Sequence, residues 1–124
     1  MPDLELSGRT ILIVEDEYWA ATDLARELVN AGATVIGPAP SVDSAMELIE
    51  SHDRIDGALL DVNLGGEMVF PAADVLRERH VPFLFATGYD RSMIPSRFDD
   101  VARCEKPVGP DKVRRMLANI LTGA

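Results

Sequence analysis

Carboxylates, a hydroxyl and an ammonium group stand at the ends of short apolar runs in this chain. Ile11-Leu12-Ile13-Val14 leads to Glu15-Asp16, Ala58-Leu59-Leu60 to Asp61, and Phe83-Leu84-Phe85-Ala86 to Thr87, while Val101-Ala102 lies just ahead of Lys106-Pro107. Apolar runs of this length, rich in β-branched and aromatic residues, read as strands covered on both faces. In an open parallel sheet the carboxyl ends of the strands are where ligands bind. Gathered there, three acids, a hydroxyl and a lysine make a site for a divalent cation and a phosphorylated aspartate.

Each residue type has a physical reason to be in such a site. Glu15, Asp16 and Asp61 would repel one another if nothing neutralised them. A Mg²⁺ ion suits them, because it takes oxygen ligands in an octahedron and is held by one or two carboxylates together with phosphate oxygens. Taken alone, Glu15-Asp16 also reads as an acid pair favoured by a helix N-terminus. Asp61 ends an apolar strand, an expensive place for a charge without a task. It reads as a nucleophile whose carboxylate attacks a phosphoryl donor to form an acyl phosphate; the competing reading is a side chain capping the next turn. Thr87 can donate its hydroxyl to a phosphoryl oxygen, and Gly88 lets the backbone come close. Lys106 supplies a point charge on a flexible stem, with Pro107 fixing the turn behind it.

The elements that must position these groups alternate between strand and helix. A strand over 10–14 leads into a helix over 17–31, with Ala20, Ala21, Leu24, Leu28 and Ala31 at helical spacing and Gly32 at the C-terminal cap. Thr34-Val35-Ile36 is a second strand, stopped by Gly37-Pro38, and Ser41 is the N-cap of a helix through Ala45, Leu48 and Ile49. A third strand covers 55–61, and Asn63-Leu64-Gly65-Gly66 is a turn. A helix through Ala72, Ala73, Val75 and Leu76 follows, with Pro71 in its first turn, and then a strand over 81–86. The stretch 89–100 is the weakest helix candidate because Pro95 lies in its middle, so it is expected to be irregular or only briefly helical. A fifth strand over 101–105 and a helix over 111–121 complete an α/β pattern, a parallel sheet wound on both sides.

Length and composition bound the answer. A chain of 124 residues fits one domain, expected to span 1–124 with its core over about 8–121 and no output domain. With 47% hydrophobic and 27% charged residues, and no apolar stretch near the roughly 18 residues of a membrane helix, neither a membrane span nor disorder is expected. The first residues lack the basic and apolar regions of a secretory signal, so a cytoplasmic location is expected. The net charge of −9, from 21 acidic against 12 basic residues, argues against nucleic acid and for cationic partners. Arg77, Arg79 and His80, then Lys112, Arg114 and Arg115, read as solvated helix faces. Cys104 reads as a buried strand thiol, and His52 and His80 as helix-end residues rather than metal ligands.

At ILIVEDE (11–17), LLDVNLG (59–65), FATGY (85–89) and EKPV (105–108), the chain resembles the receiver domain of two-component response regulators. The resemblance implies a doubly wound (βα)5 flavodoxin-like fold with strand order 2-1-3-4-5. It also implies Asp61 as phosphoacceptor, Glu15 and Asp16 as Mg²⁺-binding acids, Thr87 as switch hydroxyl and Lys106 as the phosphate-contacting lysine. The carbonyl of Asn63 would be a further metal ligand. FATGY, with Pro82 ahead and Glu105-Lys106-Pro107 behind, looks like the subfamily named FATGUY, many of whose members are stand-alone receivers. One departure touches the mechanism: many receivers carry Tyr or Phe three positions before the lysine, where this chain has Arg103. Tyr89 is the nearest aromatic substitute, though it also reads as a half-buried loop residue.

The implied function is a stand-alone regulator that accepts a phosphoryl group on Asp61 from a histidine kinase or histidine phosphotransfer protein. It would signal by protein–protein contact, or act as a relay intermediate or sink, with no catalysis beyond its own phosphorylation and dephosphorylation. Two alternatives belong to other classes. An aspartate-nucleophile phosphatase would need an acid where Asn63 stands, and a phosphorylation-independent interaction module typically lacks the acid pair or the lysine. Tyr18-Trp19 reads either as helix core or as a docking face for a kinase's helical domain.

Overall fold

In the computed structural model, which describes residues 5–88 and 91–122, strands and helices alternate along the chain. They run β1 (Thr10–Val14), α1 (Tyr18–Asn30), β2 (Thr34–Ala39), α2 (Val42–Ser51), β3 (Gly57–Asp61), a short pair β4 (Asn63–Leu64) and β5 (Glu67–Met68), then α3 (Phe70–Glu78) and β6 (Phe83–Thr87). Two 3₁₀ turns (Arg91–Met93 and Ser96–Phe98), β7 (Arg103–Glu105) and α4 (Pro110–Thr122) follow. The main sheet has the order β2-β1-β3-β6-β7 with every pair parallel. With the short pair set aside, this is the doubly wound order 2-1-3-4-5 that the resemblance implied.

Strand periodicity sorts the core onto two faces. Leu12, Val14, Ala58, Leu60, Phe83 and Phe85 pack with Ala45 and Ile49 of α2 and Ala72 and Leu76 of α3. Ile11, Ile13, Leu59, Leu84, Ala86 and Cys104 pack with Leu24 and Leu28 of α1 and Val113 and Leu117 of α4. Each of the central strands β1, β3 and β6 is buried along nearly its whole length, which explains why they read as unbroken apolar runs. Among the described residues, no helix is long and apolar enough to cross a membrane.

Several expectations change. β2 does not stop at Gly37-Pro38 but runs on to Ala39, with its register against β1 shifting between Leu12 and Val14. It is an edge strand, where the N–H that proline lacks is not needed by a neighbour. Gly37 is required there: its φ is +98°, and a Cβ would lie 2.6 Å from the carbonyl oxygen of Ile13. Asn63-Leu64-Gly65-Gly66 is not a bare turn but the first half of the antiparallel hairpin β4-β5, with Gly65 and Gly66 at positive φ.

Nor are all the helical arginines solvated. Arg79 donates to the carbonyls of Ile49, His52 and Asp53, covering the open C-terminal end of α2. Arg114 bonds Glu27 of α1, at 2.6 Å, and Glu5. Within the stretch expected to be irregular, 91–100 holds only the two 3₁₀ turns, and Pro95 stands extended between them. Phe98 anchors this stretch in a cluster with Phe70, Phe83 and Phe85. From outside, Arg97 grips Asp74 of α3 through two 3.0 Å bonds, and Arg77 bonds Asp100 at 3.0 Å.

Candidate functional site

Strand register places the chemistry. Val14 pairs with Leu60 across β1 and β3, so Glu15 comes level with Asp61. Asp61 in turn pairs with Ala86, which puts Thr87 one residue beyond it on β6, and Thr87 pairs with Glu105, which puts Lys106 one residue beyond on the far side. Adjacent strands lie about 4.8 Å apart, so four neighbouring strand ends deliver acid, nucleophile, hydroxyl and ammonium to one rim. The amide of Lys106 donates to the carbonyl of Thr87 at 2.7 Å, tying the lysine turn to β6.

Asp61 is 1% exposed. Its Oδ2 accepts from Lys106 Nζ at 2.8 Å, and its Oδ1 accepts from the amide of Asn63 at 3.2 Å. Glu15, Asp16 and Asp61 each bring a carboxylate oxygen within 4.8 Å of the others. Glu15 Oε2 is buried without a hydrogen-bond partner, and so is Thr87 Oγ1. The Glu15 carboxyl is pushed up to about 8, first by burial and then by its contact with Asp61, against the smaller opposing pull of Lys106. Buried polar atoms almost always find partners. An orphaned carboxylate oxygen in a trio of acids fits a hard divalent cation, and an orphaned hydroxyl beside a carboxylate fits a phosphoryl oxygen.

Asn63 closes its own turn, its Oδ1 accepting from the amide of Gly66 at 2.6 Å. Gly65 runs close to the acids: a Cβ there would stand 3.4 Å from Asp16 Oδ2. Arg103, at the position where many receivers carry an aromatic ring, donates to the carbonyl of Phe98 at 3.1 Å. Tyr89 lies outside the described residues.

Sequence reasoning missed Glu17. Its carboxylate accepts from the amides of Trp19 (3.3 Å) and Ala20 (2.6 Å), capping α1. That leaves Glu15 and Asp16 free to turn toward Asp61, so the acid pair is not itself the helix cap. An acid immediately before the first helical residue was the available signal. Trp19 and Tyr18 are 72% and 69% exposed, stacked edge to face at 5.1 Å, which removes the core reading of Trp19. Trp19, Ala20 and Leu24 face Pro107, Val108 and Pro110 across a cleft of about 370 Å³ whose floor includes Asp61.

No family model matches the chain. Among curated proteins it is 26% identical over 113 residues to the transcriptional regulatory protein PdtaR of Mycobacterium tuberculosis, covering 90% of this chain and 55% of that protein. The chain thus spans about half the length of the curated relatives it matches. Among solved structures it is similar to SdrG from Sphingomonas melonis Fr1, at 40% identity, 98% and 99% coverage of the two chains and a TM-score of 0.78. The BeF3-activated conformation of SdrG matches at 38% identity over the same shares, with a TM-score of 0.73. A response regulator receiver protein from Sinorhizobium medicae WSM419 matches at 25% identity, 94% and 95% coverage and a TM-score of 0.76. Likeness at up to 40% identity over nearly the whole of such chains shows that the chain belongs to the receiver-domain family of response regulators.

Proposed function

We propose that this protein is a stand-alone receiver that accepts a phosphoryl group on Asp61 from a histidine kinase or histidine phosphotransfer protein. The observation that carries the reading is the pair of orphaned buried oxygens, Glu15 Oε2 and Thr87 Oγ1, on the strand ends flanking Asp61. Mg²⁺, when bound, would offset the charge of the acids and of the incoming phosphoryl group. Glu15, Asp16, Asp61 and the Asn63 carbonyl would hold it. A carboxylate oxygen of Asp61 attacks the phosphorus of the phosphohistidine; the P–N bond breaks, its electron pair goes to the ring nitrogen, and the imidazole leaves neutral with the proton its other ring nitrogen already carries. Lys106, already on Asp61, keeps its ammonium beside the product acyl phosphate, and the Thr87 hydroxyl donates to a phosphoryl oxygen.

The cytoplasm is the proposed location, and output is proposed to be a protein contact, or passage or drainage of phosphate within a relay. The cleft beside Trp19 supports a docking face for the phosphodonor protein. Trp19→Ala is expected to slow transfer from the cognate kinase by roughly tenfold while sparing acetyl phosphate, a small donor that needs no docking. Asn63, its side chain engaged with Gly66, gives no support to the phosphatase reading, which needs an acid there.

SdrG was solved in a BeF3-activated conformation, which suggests the test. Adding BeF3 and Mg²⁺ should shift the amide resonances around Asp61, Thr87 and Lys106. Unchanged spectra in the wild type, or equal shifts in Asp61→Asn, would count against the assignment.

A further inference from the structure

The groups proposed to hold the cation come from separate pieces of chain. Glu15 and Asp16 follow β1, whereas Asn63 opens the hairpin after β3. Both pieces are fastened to the same turn, residues 39–42, between β2 and α2. On one side the amide of Glu15 donates to the carbonyl of Ala39 at 2.9 Å. On the other, the amide of Val42 donates to Glu67 Oε1 at 3.2 Å. Val42 is the first residue of α2, so its amide has no acceptor within the helix. Ser41 covers the amide of Ser44 and leaves that of Val42 to Glu67, whose carboxylate is also favoured by the helix dipole.

Glu67 faces Leu64 across the hairpin, and Asn63 faces Met68. Beneath them Val42, Val62 and Leu64 share one apolar cluster. The hairpin rests on this apolar floor and is tied to β3 by the amide of Asn63 on Asp61 Oδ1 (3.2 Å) and the amide of Val69 on the carbonyl of Val62 (3.0 Å), while Glu67 ties it sideways to the turn before α2. Mg²⁺ demands near-ideal octahedral geometry at about 2.0–2.1 Å, so a small sideways shift of Asn63 or of Gly65 against Asp16 would spoil the site.

We infer that Glu67 is a positioning residue for the cation: its bond to the Val42 amide closes a path from acid loop through turn to hairpin and sets the gap between Glu15-Asp16 and Asn63. The inference rests on the proposed phosphorylation site. Glu67 touches neither the cation nor Asp61; it acts through the backbone it holds.

The test is calorimetric titration of the full chain with Mg²⁺ alone. Glu67→Ala should weaken binding about three- to tenfold, less than the roughly 10–100-fold seen when a group bonded directly to a ligand is removed. Glu67→Gln, which keeps the oxygen acceptor and loses the charge, should stay within about twofold of wild type, with the Val42 amide resonance unmoved. At saturating Mg²⁺, Glu67→Ala should be phosphorylated by acetyl phosphate as fast as wild type. A lowered melting temperature with unchanged Mg²⁺ affinity would make Glu67 a helix cap and overturn the inference. Equal losses in the Gln and Ala variants would assign the effect to charge and overturn it too. A third variant, Asp16→Asn, separates the premises: Mg²⁺ binding as tight as wild type there would defeat the site itself, and the latch with it.

Discussion

Glu15 and Asp61 are level on adjacent strands, and Lys106 Nζ bonds Asp61 Oδ2 at 2.8 Å. The Glu15 carboxyl, raised from 4.5 to about 8, binds a proton in the folded chain that the unfolded chain has already released across that interval. Its contribution to stability without a divalent ion is therefore present below about pH 4.5 and lost as the pH rises through about 8. Glu15→Gln should be more stable than wild type at pH 8 and nearly equal to it at pH 5 in the presence of EDTA, as read by thermal melting. A Gln variant that gains nothing at pH 8 would show that the burial costs little. The division of labour between the acids is a separate expectation. Replacing Asp16 should cost more Mg²⁺ affinity than replacing Glu15, and equal titrations would contradict it. That these groups meet at one rim was legible in the sequence because type and position coincide: an acid, hydroxyl or lysine closely following an apolar strand is carried to the sheet's carboxyl end. Glu17 was passed over as a cap because three acidic residues in a row, 15–17, blur the signal that an acid directly before the first helical residue gives.

At the level of elements, the sequence pattern located the strands of the main sheet and the four α-helices, because apolar periodicity reports burial and burial is what these elements share. It failed where the deciding contact is distant in sequence. Gly37-Pro38 reads as a stop by local rules, yet β2 continues because its outer edge needs no donor. Gly37→Ala is expected to destabilise the fold by about 2–4 kcal/mol, combining a positive φ with a contact of 2.6 Å to backbone, and urea unfolding would measure it. The hairpin β4-β5 was hidden because two-residue strands carry no periodicity. Arg79 was read as solvated because its three carbonyl partners lie 26–30 residues away. Its replacement by Ala should cost about 1–3 kcal/mol. His80, at φ 60° after α3, holds a position that favours glycine. His80→Gly should stabilise the protein by about 0.5–1 kcal/mol, and a loss instead would mean the imidazole makes a contact that offsets its backbone strain.

Across the whole molecule, the site and the stretch 91–100 lie at opposite ends of a short mechanical path. Thr87 ends β6; β7 pairs with β6 and carries Arg103, whose guanidinium holds the carbonyl of Phe98. Where an aromatic ring would couple threonine to the surface, this chain has an arginine bonded to the backbone of the adjoining 3₁₀ turn. That turn is gripped at its surface by Asp74 and Arg77 of α3, exposed pairs worth only about 0.2–1 kcal/mol each. With Phe98 buried as its anchor, the surface residues on either side of it are the part expected to rearrange at small cost. Hydrogen exchange should find weak protection through 91–99 in the resting protein and altered protection with BeF3 and Mg²⁺. Strong protection unchanged by the mimic would defeat this account of the signal. The central claim is nearer the site, that Asp61 accepts a phosphoryl group only with a divalent ion in place. Intact-mass spectrometry after incubation with acetyl phosphate and Mg²⁺ tests it most directly. One phosphoryl group is expected on the wild type, and none on Asp61→Asn or in EDTA; a wild type that stays unmodified, or an Asn variant that gains the same mass, would contradict it.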